Sequence, residues 1–180
     1  MISVSSFREL AITEAYKFTG KLKPHEKILH NAYVDFLQDY YKVNLKIEIS
    51  FRKPNKKLYF GFIDLIGLSN GKYKIVVEHI LYGILGKIGH EFTHCVQYKN
   101  GDLGFTEDEL SVTWKGKPFI TAKELGKITD FNEYKKLPWE AEAYKAQDKL
   151  ADLFLKSSFF KDIQGTNATI DFLFDNEAIS

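Results

Sequence analysis

His90-Glu91-Phe92-Thr93-His94 makes chemical sense on a helix. There the two histidines, at i and i+4, project from one face, so both imidazoles can reach one ion. The glutamate between them is placed to take a proton from a water held by that ion. Working outward, the segment from about Ile80 to Lys99 carries a helical period and meets a stop at Asn100-Gly101. On a wheel of about 100° per residue, Leu81, Ile84, Leu85, Ile88, Phe92, Cys95 and Val96 make one broad apolar face. His90 and His94 point nearly opposite, beside Gly83, Lys87 and Gln97. The histidines are therefore expected to face away from the core into a cleft, with Gly83 letting a substrate chain pass close. Two histidines on a polar face are also compatible with plain solvation; the glutamate between them and the apolar character of the helix favour the ion. Cys95, on the core side, reads as a small buried hydrophobe.

Upstream, Phe7 to Phe18 suggests a short helix ending at Gly20. Pro24 then opens a helix to about Val43, with Ile28, Ala32, Phe36 and Tyr40 spaced at four. Leu45, Ile47, Ile49 and Phe51 alternate with the period of a half-buried strand. Leu58 to Ile66 and Tyr73 to Val77 read as two more strands joined by Ser69-Asn70-Gly71, which suits a hairpin. The last of these runs straight into the helix of the histidines. Downstream, Leu110 to Trp114 and Pro118 to Thr121 flank a Lys115-Gly116-Lys117 turn. Pro138 starts a long helix to about Lys156, and Thr169 to Phe174 is a further possible strand in the 157–180 tail.

With 180 residues, no internal repeat and no dividing linker, the chain reads as a single domain, 1–180, able to bury a core. Hydrophobic residues make up 44% and aromatics 15%, which suits a core containing a sheet. The net charge of +1 argues against a general nucleic-acid surface; the basic run Arg52 to Lys57 reads as a solvated loop. One cysteine excludes an internal disulfide framework. Neither a secretory leader nor a membrane-length apolar run is visible, so a reducing cytoplasm is expected and the Asn167-Ala168-Thr169 acceptor is expected to stay idle.

A catalytic ion commonly takes three protein ligands and a water. The third is sought in Leu137-Pro138-Trp139-Glu140-Ala141-Glu142-Ala143-Tyr144. Glu140 shares a helix face with Ala143, Tyr144, Gln147 and Ala151, next to Leu150 and Phe154. Glu142 lies on the far side, where it can pair with Lys145. A carboxylate turned to the packed side costs several kcal/mol unless something positive meets it. Glu140 is thus the expected ligand, and Glu142 a surface group or one that supports a ligand from behind. Two imidazoles and a carboxylate suit one Zn2+ per chain best, manganese and iron being chemically compatible.

His90-to-Tyr98, Thr113-to-Phe119 and Pro138-to-Tyr144 together resemble a gluzincin-type zinc metallopeptidase. The nearer likeness is to the small zincin-like metallopeptidases often encoded by bacteriophages, and it spans about 73–155. The resemblance implies a minimal zincin-like α+β fold: a small, mostly antiparallel sheet, an active-site helix and a C-terminal helix bearing the glutamate ligand. It also implies peptide-bond hydrolysis, as an endopeptidase of narrow specificity, by a metal-activated water with His90, His94 and Glu140 as ligands and Glu91 as general base. The substrate, a protein or peptide, is expected to add as a strand to the sheet edge along the cleft, for which Tyr73 to Val77 is the candidate. Tyr144, Tyr134 and His79 are each conceivable oxyanion donors. His25 and His30 read as helix-surface residues. Many gluzincins follow the ligand glutamate with a supporting Asp; Tyr144 stands there, leaving that support unassigned.

Two alternatives accompany this reading. One is a zincin-fold phage structural or adaptor protein that binds zinc and a phage or host partner, docking through the apolar tail Ser158 to Ser180, and cuts nothing. The other is a regulatory protease acting on one repressor-like partner. The expected location is the host cytoplasm, or the virion if phage-encoded.

Overall fold

The parallel pairing of two strands around a helix sets the frame of the molecule. The computed structural model describes residues 16–19, 22, 24–52, 62–64, 72–78 and 83–164. β1 (Tyr16–Thr19) is followed by α1 (Pro24–Tyr41) and β2 (Lys46–Arg52), and β1 pairs parallel with β2, Tyr16 against Ile47. A helix is what a parallel crossover needs. Pro24 opens α1 where its missing N–H costs nothing. At the other end the Gln38 amide bonds both backbone groups of Leu45, at 2.8 and 3.0 Å, which pins the entry to β2.

β3 (Phe62–Asp64) pairs antiparallel with β4 (Lys72–Glu78), and β4 pairs parallel with β2, giving the order β1-β2-β4-β3. An antiparallel strand placed on the outside returns the chain in its starting direction, so β2 and β4 lie side by side and parallel. The α+β class holds, and counting both sheets three of the five pairings are antiparallel. The sheet behind the histidine helix, however, is mixed, with its central pair β2–β4 and the adjoining β1–β2 pair both parallel. Two further expectations are corrected. Tyr16–Thr19 is a strand and not the end of a helix, because it finds the β2 edge. Tyr73 to Val77 lies inside the sheet and is not an edge; among the described residues β3 and β1 are the edges. The Ser69–Gly71 turn, His79, most of the Phe7–Phe18 segment and Thr169–Phe174 lie outside the described residues.

Buried Ile47, Ile49, Tyr73, Ile75 and Val77 pack against Leu29, Tyr33, Val34 and Leu37 of α1. The row Ile28, Ala32, Phe36, Tyr40 is not the core stripe, since Ile28 and Tyr40 are exposed. The neighbouring row Leu29, Tyr33, Leu37 has the same spacing and wins. His30, expected on the surface, is buried with its ring stacked on Phe51. The side chain of His25 lies outside what is described.

α2 (Ile84–Asn100) carries the pentapeptide. Gly83 precedes it at φ 73° as the cap, so it does not lie on the histidine face of the helix. Gly101 ends it at φ 75°, a left-handed conformation that favours glycine. Beyond it β5 (Leu103–Phe105), β6 (Ser111–Trp114) and β7 (Lys117–Thr121) form an antiparallel three-stranded sheet. The short helices α3 (Ala122–Leu125) and α4 (Phe131–Tyr134) lead to α5 (Pro138–Lys156) and α6 (Ser158–Ile163). Leu103, Val112, Leu137 and Trp139 form a second small core. Phe160 of α6 is buried in the main core against Phe154. The described part of the apolar tail is thus packed on its own domain. No helix among the described residues is long and apolar enough to cross a membrane.

Candidate metal centre

α2 is buried on nearly every side, because α5 covers the face opposite the sheet. His94 meets Glu140, His90 meets the Tyr144 ring at 4.4 Å between centroids, and Gly86 faces Gln147. The two helices therefore run antiparallel, close together. The histidines, expected to open into a cleft, are buried beneath this helix along with Glu91. A wheel sees one helix and cannot show that a second will lie on its polar stripe.

Glu140 is the third residue of α5. Pro138 starts the helix, and Leu137 and Trp139 sink into the second core, where Trp139 meets Trp114 and Phe119. The β5–β7 sheet thus acts as a buttress that delivers Glu140 to α2. A carboxylate in the first turn is also favoured by the helix dipole.

His90, His94 and Glu140 form a buried cluster able to hold a metal ion, their ligand atoms all within 4.8 Å of one another. His90 Nε2 and His94 Nε2 are 3.1 Å apart. Glu140 Oε2 is 3.3 Å from His90 Nε2, and Oε1 is 3.3 Å from His94 Nε2. Atoms bound tetrahedrally to an ion at 2.0–2.1 Å lie about 3.4 Å apart, so the spacing fits a small divalent ion. Oε2 is buried without a hydrogen bond, while Oε1 accepts from the Tyr134 hydroxyl at 2.7 Å. The free oxygen is the one suited to bind. The chemistry of the donor set agrees, since two imidazole nitrogens and a carboxylate oxygen sit in mutual contact.

Burial works to raise the Glu140 carboxyl, but the adjoining His90 and His94 imidazoles, the His94 charge and the Tyr134 hydroxyl outweigh it and hold it at about 2. Burial, together with the charges of His94 and Lys135, lowers His90 against the upward pull of Glu140. Burial also opposes charge on His94, yet the adjoining Glu140 carboxylate and the charge of Glu91 raise it. Glu91 is pushed up to about 7 by burial, with His94 acting downward and Glu140 upward. An acid poised near neutrality suits proton transfer.

Of the conceivable oxyanion donors, Tyr134 spends its hydroxyl on Glu140. Tyr144 lies ring-on-ring with His90, with the Lys135 ammonium 4.5 Å from its centroid; burial lifts its phenol to about 12. Glu142 is exposed, and the bond the structure gives its carboxylate is to Gln97 at 2.8 Å. In the sequence Gln97 is a plain neighbour on the histidine face. It bonds His94 Nδ1 at 2.8 Å, and its position at i+3 from His94 was the available signal. Comparison with known protein families, characterised proteins and solved structures finds no match.

Proposed function

We propose that this chain is a zinc-dependent peptidase. The observation that carries the reading is the buried cluster of His90, His94 and Glu140 with a further buried acid, Glu91, one residue along from His90. Among the described residues three side chains converge, which is the ligand number of a catalytic site; structural zinc usually takes four. When bound, zinc supplies Lewis acidity and lowers the pKa of a water. Glu91 takes the proton of the attacking water and passes it to the leaving amine. Tyr134 holds Oε1 of Glu140, which leaves Oε2 as the oxygen that would bind the metal. Burial beneath α5 keeps these charges in a medium where each counts for more than in water.

The test pairs elemental analysis with cleavage of casein and a peptide library by wild type and Glu91→Gln. Expected are one zinc per chain in both proteins and cleavage by wild type alone. One zinc per chain with no cleavage by either would support a zinc-holding scaffold. No zinc in wild type would overturn both readings.

A further inference from the structure

Building on the metal-site reading above, we propose that Gln97 is a positioning residue. It sets His94 in its ligand form and ties it to the helix that bears Glu140, with Glu142 as its anchor. The Gln97 side chain is buried, with only 3% of the residue exposed, and its amide has three partners. Its Nε2 donates to the Trp139 carbonyl at 3.1 Å and to Glu142 Oε2 at 2.8 Å. A carbonyl and a carboxylate only accept, so this end of the amide must be the nitrogen. The other end, Oε1, then faces His94 Nδ1 at 2.8 Å. An amide oxygen also only accepts, so the proton of the neutral imidazole sits on Nδ1. That leaves the Nε2 lone pair directed at His90 Nε2 and Glu140, as a metal ligand requires.

The same amide holds the backbone of Trp139, the residue just before Glu140. One side chain therefore orients a ligand on α2 and secures the turn of α5 that presents the other. Glu142 is exposed and touches no ligand in this chain of contacts. Its charge strengthens the amide donor and acts on His94 only through Gln97.

The experiment measures zinc dissociation constants by competition with a chelator for wild type, Gln97→Leu, Glu142→Gln and the double variant. It adds the 15N shifts of His94 in metal-free wild type and Gln97→Leu at pH 8. Expected is a loss of roughly 10–100-fold for Gln97→Leu and a smaller but measurable loss, about two- to tenfold, for Glu142→Gln. Glu142→Gln should add nothing in the Gln97→Leu background. His94 should carry its proton on Nδ1 in wild type and show a mixture of tautomers in Gln97→Leu. Thermal melts of the metal-free variants separate lost folding from lost positioning. Should Gln97→Leu misfold, Glu142→Gln and the wild-type tautomer still decide. Unchanged affinity in the single variants, or a proton on Nε2 in wild type, overturns the proposal. If wild type takes up no zinc, the peptidase reading falls, and the tautomer alone then judges the role of Gln97.

Discussion

Glu91 is the side chain whose environment is most at odds with its chemistry. Its folded-state value of about 7 lies above the ordinary 4.5. For a carboxyl raised on folding, the associated stability is intact below 4.5 and is lost as pH rises through 7. Replacing Glu91 with Gln should therefore raise the melting temperature of the metal-free protein at pH 8 and leave it nearly unchanged at pH 4.5. The ceiling is roughly 3 kcal/mol. On the peptidase reading, the same variant should retain zinc and lose hydrolysis by about 10²–10⁴-fold. Equal melting shifts at the two pH values would discard the burial argument. Tyr134→Phe is milder, because Glu140 keeps its contacts with both histidines. It should weaken zinc binding by less than Glu140→Gln does, as read by titration calorimetry.

Among the elements, the contact of α1 with α2 has one tight point. The Tyr33 hydroxyl is buried without a partner among the described residues, and a Cβ at Gly89 would lie 2.5 Å from it. The Tyr33 ring is held against Phe154 and Phe36, so it has little room to retreat. Gly89→Ala should cost about 1–3 kcal/mol by overpacking, although alanine is the better helix former. Combined with Tyr33→Phe, the same alanine should become neutral or stabilising, since the next atom, on Leu150, is at an ordinary 3.5 Å. Denaturant midpoints of the two singles and the double will show whether the sign reverses. A second tie, the Tyr41 hydroxyl donating to Thr93 Oγ1 at 2.8 Å while Thr93 bonds the Gly89 carbonyl, keeps α1 in register with the pentapeptide.

For the whole molecule, metal and fold should be linked. The candidate ligands on α2 and α5 meet only in the folded chain, so, on the proposed reading, zinc at a hundred times its dissociation constant should add about 2.7 kcal/mol. That corresponds to a rise of roughly 5–10 °C in melting temperature for a chain of this size. A chelator should reverse the rise, and Glu140→Ala should abolish most of it. In the metal-free protein, Glu140, held at about 2, contributes stability that is full above 4.5 and lost as pH falls toward 2. With Glu91 and His94 acting in the opposite sense at higher pH, a stability maximum is expected on the acid side of neutrality. A pH series of melts checks it.

What could be read from the chain alone was local. The i, i+4 histidines, the glycine stop after α2, the Pro138 start and the choice of Glu140 over Glu142 as the candidate ligand rest on helix period and on the cost of burying a carboxylate. Those act within one element or between a side chain and any apolar surface. Partner-dependent features were decided only on folding: the parallel β2–β4 pairing, the stripe of α1 that faces the sheet, the burial of the histidines beneath α5 and the Gln97 link to Trp139 and Glu142. A strand's period is the same whichever neighbour it pairs with. Leu29 and Ile28 begin equally apolar rows, and a glutamine on a helix names no acceptor 42 to 45 residues away until packing brings that acceptor to it.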